Sequence, residues 1–182
     1  MNTAWSDYEP DAEGYVEEEY SFRANKRLGQ EQLTWLTEEA LNMKEGYSAV
    51  ISAHYATMVK ETAILKGIVK AFTTKSTYSG SYTQGSEWTH STVSVDYTDA
   101  KGELIAIFDG SEHIDAINTT SYSIPLIKTT TAGYGSGYNN LTPKRLTGSS
   151  NESAIDVVTI DKNNRKIYLT RLGWGEDRVV SY

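Results

Sequence analysis

Leu33, Leu36, Ala40 and Leu41 recur at helical spacing in the stretch GQEQLTWLTEEALNMKEG, with Trp35 beside them. That period predicts an amphipathic helix, with Gln30 and Glu31 in its first turn and Gly46 as its stop. YSAVISAH follows, an apolar run with β-branched residues and no polar alternation, which predicts a strand buried on both faces and ending at His54. A second helical stripe runs through Ala63, Ile64, Ile68, Ala71 and Phe72. Residues 76–91 are rich in Ser, Thr, Tyr and Gly and read as a loop. TVSVDY, GELIAIFDG, AINTTSYSIPLIKTT, AIDVVTID, KIYLTRL and RVVSY read as strands, with Pro125 marking an edge or a break. IDKNNRKI predicts a hairpin turning at Asn163 and Asn164, which tolerate positive φ. The stretch 131–153 is a Gly, Asn and Ser-rich loop. Helix, buried strand, helix and then strands only is the order of a layered α/β domain of the α+β kind. Its length suits a single domain over 1–182, with an irregular acidic lead-in over 1–28.

The chain carries 17 basic and 24 acidic residues, a net charge of −7. No stretch concentrates Lys or Arg, so neither nucleic acid nor an anionic membrane is an expected partner. It has no cysteine, which excludes a disulfide framework, a thiolate zinc site and thiol chemistry. The N-terminus lacks the basic start and apolar core of a signal peptide, and no run reaches the length of a membrane span. A cytoplasmic or particle-associated location is expected.

Chemistry concentrates in IAIFDGSEHIDAI. His113 and His54 both follow apolar runs, and ligands in layered α/β folds gather at the carboxyl ends of strands. Neutral imidazole there is a metal-ligand candidate, although a lone histidine at a strand end is more often a hydrogen-bonded structural residue. His90 lies in a Ser/Thr-rich stretch and is expected to be exposed. Asp109 and Asp115 flank the Gly110–His113 turn, either as partners that orient a ligand or as turn residues bonding their own backbone. AGYGSGY lacks the Lys-Ser/Thr and helix of a phosphate loop.

The order of GQEQLTWLTEEALN, YSAVISAHYATM, ILKGIVKAF, KGELIAIFDGSEHIDAI and SAIDVVTIDKNNRKIYLTRLGWGEDRVVSY resembles the C-terminal half of calcineurin-like metallophosphoesterases. The similarity is to the type common in phages, prophages and Gram-positive bacteria, and it covers nearly the whole chain from Gln30 on. The resemblance implies a β-sandwich flanked by helices, with two divalent metals at the strand ends that bind a phosphate ester and activate a water. His54 matches the metal-binding histidine after the Ser-His strand. His113 matches the second histidine of the family's Gly-His-x-His turn, Gly110 its glycine and Asp115 the aspartate that often follows. Ser111 occupies the place of the first histidine, a lost ligand, because a hydroxyl is a far weaker donor than imidazole.

The family's N-terminal segments, Asp-x-His, Gly-Asp and Gly-Asn-His, have no match here. His54 and His113 therefore read as a vestigial site, with Mn, Fe or Zn held weakly or not at all. No catalytic residue is assigned. The expected function is a truncated or degenerate metal-dependent phosphoesterase domain, inactive alone. It would be completed by a separate N-terminal half-domain chain or would self-associate. The alternative is a non-catalytic structural or binding module of a phage or prophage particle; a new enzyme built on His54, His113 and Asp115 carries the least weight.

Overall fold

The computed structural model describes residues 27–59, 61–83, 90–132, 145 and 148–182. Most of the lead-in and much of the 131–153 loop lie outside them. Helix α1 (Gln30–Thr34) runs directly into a π-helical segment, Trp35–Ala40. The wider winding has a visible cause. The Leu41 amide donates to the Leu36 carbonyl, 3.0 Å away, so residues five apart share a face. Leu33, Leu36 and Leu41 are thereby buried together while Trp35 points outward.

Strand β1 (Ser48–Ala53) leads through a turn-rich segment to helix α2 (Thr62–Thr74). That helix buries Ile64, Leu65, Ile68, Val69, Ala71 and Phe72 and ends on Lys75 at φ 51°. Strands β2 (Thr77–Thr83) and β3 (His90–Asp96) then form an antiparallel hairpin packed on α2. β2 falls in the stretch expected to be a loop. Its TYSGSYT sequence hides the strand, because its inward anchor is Tyr78, whose ring lies where a Cβ on Gly67 would be, 2.1 Å from Cζ. Gly67 has to be glycine for helix and hairpin to close.

Strands β4 (Glu103–Asp109), β5 (Ala116–Asn118) and β6 (Leu126–Lys128) join β1 in a four-stranded sheet ordered β1-β4-β6-β5. β1, β4 and β6 run parallel and β5 antiparallel. The expected strand over 116–130 is thus two short strands. Pro125 stands just before β6, its carbonyl accepting the Ile107 amide at 2.9 Å. Strands β7 (Ala154–Asp161), β8 (Lys166–Gly173) and β9 (Arg178–Ser181) form a separate antiparallel sheet ordered β7-β8-β9. The hairpin joining β7 and β8 is where it was expected, but the residue with positive φ is Arg165, at 52°, rather than either asparagine.

Two clusters hold the layers together. The larger lies between the helices and one face of the four-stranded sheet, including Leu104 and Ile107 of β4. The smaller joins that sheet's other face to β8 and β9 through Ile105, Ala106, Ile127, Ile167, Leu169 and Val180. Consecutive Ile105 and Ala106 share a face because β4 carries an extra residue there: Ala49 pairs Leu104 and Val50 pairs Ala106. The described residues are therefore α+β: two larger sheets face to face, helices against one of them, and the two-stranded β2–β3 sheet packed on α2.

β1 is not buried on both faces. Ala49, Ile51 and Ala53 face the helices, but Val50 is 41 % exposed and Ser52 lies open. β1 is the edge of its sheet, and the second sheet, packed on Ile105 and Ala106 of β4 and Ile127 of β6, does not extend over it. Among the described residues, no helix is long and apolar enough to cross a membrane.

Candidate functional site

The parallel pairing of β1 with β4 sets Ala53 opposite Asp109. The two strands therefore end level, and the residues just beyond them, His54 and the Gly110–His113 turn, meet at the same end of the sheet. The His54 and His113 rings lie 6.2 Å apart, centroid to centroid. Gly110 permits this approach: a Cβ there would sit 3.2 Å from His54 Nδ1. His113 itself adopts φ 56°, a conformation that costs a non-glycine residue energy and turns the chain sharply toward β5. His54 also stacks edge-on against Tyr55, centroids 4.4 Å apart.

Asp109 is buried, and its carboxylate works inward. Oδ2 accepts from the Thr57 amide at 3.1 Å and the Thr57 hydroxyl at 2.7 Å. Oδ1 accepts from the Ser111 amide at 2.8 Å. This carboxylate ties the segment after β1 to the turn after β4, and so orients both histidines. Ser111 Oγ is enclosed in the same turn with no hydrogen-bond partner, an unusual state for a buried hydroxyl.

Asp115 points elsewhere. Its Oδ1 accepts from Arg171 Nη2 at 2.8 Å and lies 3.2 Å from Arg178 Nη2. Asp156 receives Arg171 Nε at 2.9 Å and Arg178 Nη2 at 2.6 Å. Two carboxylates and two guanidinium groups thus form a closed lattice that fastens the turn after β4 to the second sheet. Arg145 extends it, donating to the Thr131 carbonyl at 2.8 Å and packing over Trp174 at 5.3 Å. Burial pushes the Asp115 carboxyl up, but the Arg171 hydrogen bond and the charges of Arg178 and Arg171 outweigh it and hold it below the usual carboxylate range.

A carboxylate with a depressed pKa contributes stability above its unfolded pKa of about 3.9 and loses it as pH falls through the lower folded value. The chain should therefore lose thermal stability as pH falls below about 4. Asp115→Asn should flatten that part of the profile. Melting curves of the two proteins between pH 7 and pH 3 check this; parallel curves would show that the Asp115 lattice contributes nothing to it.

The structure brings His54, His113, Ser111 and Asp109 to one strand end, places Asp115 beside them in an ion-pair lattice, and keeps His90 away on the hairpin. There His90 is exposed, between the Thr83 and Thr92 hydroxyls at 2.8 and 2.6 Å. Arg171, Arg178, Asp156 and Arg145 are the site residues that the sequence did not reveal. Arg171 lies 56 positions from Asp115 and Arg178 lies 22 from Asp156, and an isolated arginine carries no local signal.

Does this donor set fit a divalent metal pair? Two imidazoles converge, but both Asp109 oxygens are already occupied and Asp115 is held by two arginines. Among the described residues, no group of three or more His, Asp or Glu side chains is arranged to hold a metal ion. Two neutral donors are too few for a catalytic centre, which takes three or more protein ligands plus an open position. The described residues therefore do not fit a two-metal centre, and no reaction step is drawn through one. No family model, curated protein or solved structure matches this chain.

Proposed function

We propose that the chain is a degenerate portion of a calcineurin-like metallophosphoesterase domain, inactive in isolation. One observation carries this reading. A parallel strand pair delivers two histidines to one end of the sheet, and the turn after β4 encloses a serine hydroxyl with no hydrogen-bond partner among the described residues. A buried hydroxyl without a protein partner fits a position where a larger, bonded side chain has been replaced. The two-sheet arrangement with helices against one layer supports the same reading.

The chemistry lost is metal-assisted hydrolysis of a phosphate ester. With Mn²⁺ in excess, the chain alone should hydrolyse a chromogenic phosphodiester no faster than buffer containing the same metal. Turnover that rises with protein concentration and disappears in His54→Ala would refute the claim of inactivity.

A second reading, a non-catalytic structural or binding module of a viral particle, draws support from a different observation. The Asp115–Arg171–Asp156–Arg178 lattice spends the site's charged groups on joining the two sheets. The apolar edge of β7 offers the surface such a module would use.

A further inference from the structure

β7 closes one side of the three-stranded sheet, with β8 on its other side only. The direction of its backbone can be read from two hydrogen bonds. The Ala154 amide donates to the Ala132 carbonyl at 3.0 Å, although Ala154 sits opposite Gly173 of β8. The Trp174 amide donates to the Ser153 carbonyl at 2.8 Å, on the β8 side. Backbone groups alternate sides along a strand. Asp156, Val158 and Ile160 therefore present their amides and carbonyls away from β8, and among the described residues no strand pairs with that side.

The side chains agree. Ile155 and Val157, on the outer face, are 53 % and 48 % exposed, and Val158 and Ile160, on the inner face, are 41 % and 37 % exposed. Exposure on both faces of one strand marks a bare edge rather than a bare face. β7 has no proline, no lysine and no bulge across eight paired residues, and the charge of its inward-pointing Asp156 is met by Arg171 and Arg178.

We propose that β7 pairs antiparallel with β7 of a second copy of this chain, about a two-fold axis through Val158. The edge is complementary to itself in that register. An axis normal to the sheet keeps each face on its own side, so facing residues lie an even number of positions apart. Val158 then meets the second copy's Val158, and Asp156 meets the second copy's Ile160 on either side of the axis. These are the three outward-directed residues, each matched with another of the same set. Three facing pairs, each exchanging two hydrogen bonds, make a ladder of six. Shifting the axis by one or two residues leaves some of them unmatched or collides with the segment at Ala132.

Charge allows the same register. Asp156 and Asp161 lie on opposite faces and cannot meet, and acid faces acid only if the axis passes through one of them. With the axis at Val158, Asp161 faces the second copy's Ile155, and the ladder stops there, because the outward side of Ala154 is taken by the Ala132 carbonyl. Asp156 is neutralised within its own chain by Arg171 and Arg178. A foreign strand would have to supply this match independently, whereas a second copy supplies it by symmetry.

The test is the solution mass of the full chain, by sedimentation or light scattering, from about 1 to 100 µM. A dimer is expected. Val158→Pro removes an amide that points outward and leaves the β7–β8 ladder intact, so it should yield a folded monomer by circular dichroism. Should that variant unfold, Val158→Lys, which sets two cations face to face on the axis, makes the same decision. Val179→Lys, on the exposed opposite edge strand, should stay dimeric. The chain has no cysteine, so Val157→Cys and Thr159→Cys report the register. They face each other across the axis and should cross-link when mixed, and neither should cross-link efficiently alone. A wild-type monomer at every concentration overturns the proposal. So does a dimer that survives folded Val158→Pro or Val158→Lys, or cross-linking of either cysteine variant alone with none in the mixture.

Discussion

Replacing Glu61 with alanine should remove about 3–5 kcal/mol of folding stability, a large share of the 5–15 kcal/mol typical of a single domain. Glu61 sits at the N-cap position of α2, yet its carboxylate does not cap that helix. It is fully buried and turned the other way. It accepts from Arg27 Nε at 2.7 Å, from the Leu28 amide at 3.0 Å and from the Ser91 hydroxyl at 3.3 Å. Arg27, only 5 % exposed, also reaches Ser91 at 3.1 Å and lies over the Tyr82 ring. This one carboxylate joins the segment entering α1, the start of α2 and strand β3. Its loss takes the Glu61 charge away from a buried guanidinium and this acceptor away from the Leu28 amide.

Two controls separate the charge from the packing. Glu61→Gln keeps an acceptor and the volume, and should be less damaging than alanine. The double replacement Glu61→Met with Arg27→Met removes both charges together, and should cost less than the sum of the two single changes. Urea midpoints of these variants are the measurement. A Glu61→Ala protein within about 1 kcal/mol of wild type would show that the network is energetically idle.

The second large effect is at alkaline pH. Burial pushes Tyr97 up to about 12, and burial with the nearby Asp109 charge pushes Tyr122 up to about 12. Both rings are core residues, and Tyr122 Oη donates to the Ala56 carbonyl at 3.0 Å. Folding thus favours the protonated phenol. Its contribution is intact below the unfolded pKa of about 10 and is lost as pH rises from 10 toward 12. Each phenol contributes on the order of 2 kcal/mol to this loss, since a tenfold change in proton affinity is worth about 1.4 kcal/mol. The chain should unfold cooperatively in that window. Its last tyrosines should ionise, followed at 295 nm, together with the collapse of the circular dichroism signal. The double variant Tyr97→Phe, Tyr122→Phe should unfold at higher pH than wild type. An alkaline midpoint unchanged by the double variant would remove these two phenols as the cause.

What the sequence revealed and what it hid divide along one physical line. Periodicity is local, so it located α2, the end of β1 at His54, the β4 turn with His113, and the β7–β8 hairpin. Pairings made by tertiary structure leave no such trace. TYSGSYT forms a strand only because Tyr78 finds the bare surface of Gly67 on α2. The apolar YSAVISAH run predicted burial on both faces, but strand order put it at an edge, and strand order is not written in a strand's own residues. The histidines could be picked out because each follows an apolar run. The arginines that clamp Asp115 could not, since Arg171 is 56 positions away in the chain. The orphaned Ser111 hydroxyl, which weighs most in the functional reading, is a property of the packed turn alone.

The measurement closest to the central claim is a calorimetric titration of Mn²⁺ into four proteins: wild type, Ser111→His, Ser111→His combined with His54→Ala, and the double variant His54→Ala, His113→Ala. If the turn is a metal site that has lost a ligand, wild type binds weakly and barely exceeds the double variant. Ser111→His then binds at least about tenfold more tightly, roughly 1.4 kcal/mol, and adding His54→Ala to it removes the gain. A wild-type chain that already binds tightly through His54 and His113, or a Ser111→His chain that stays folded and gains nothing, would contradict the account.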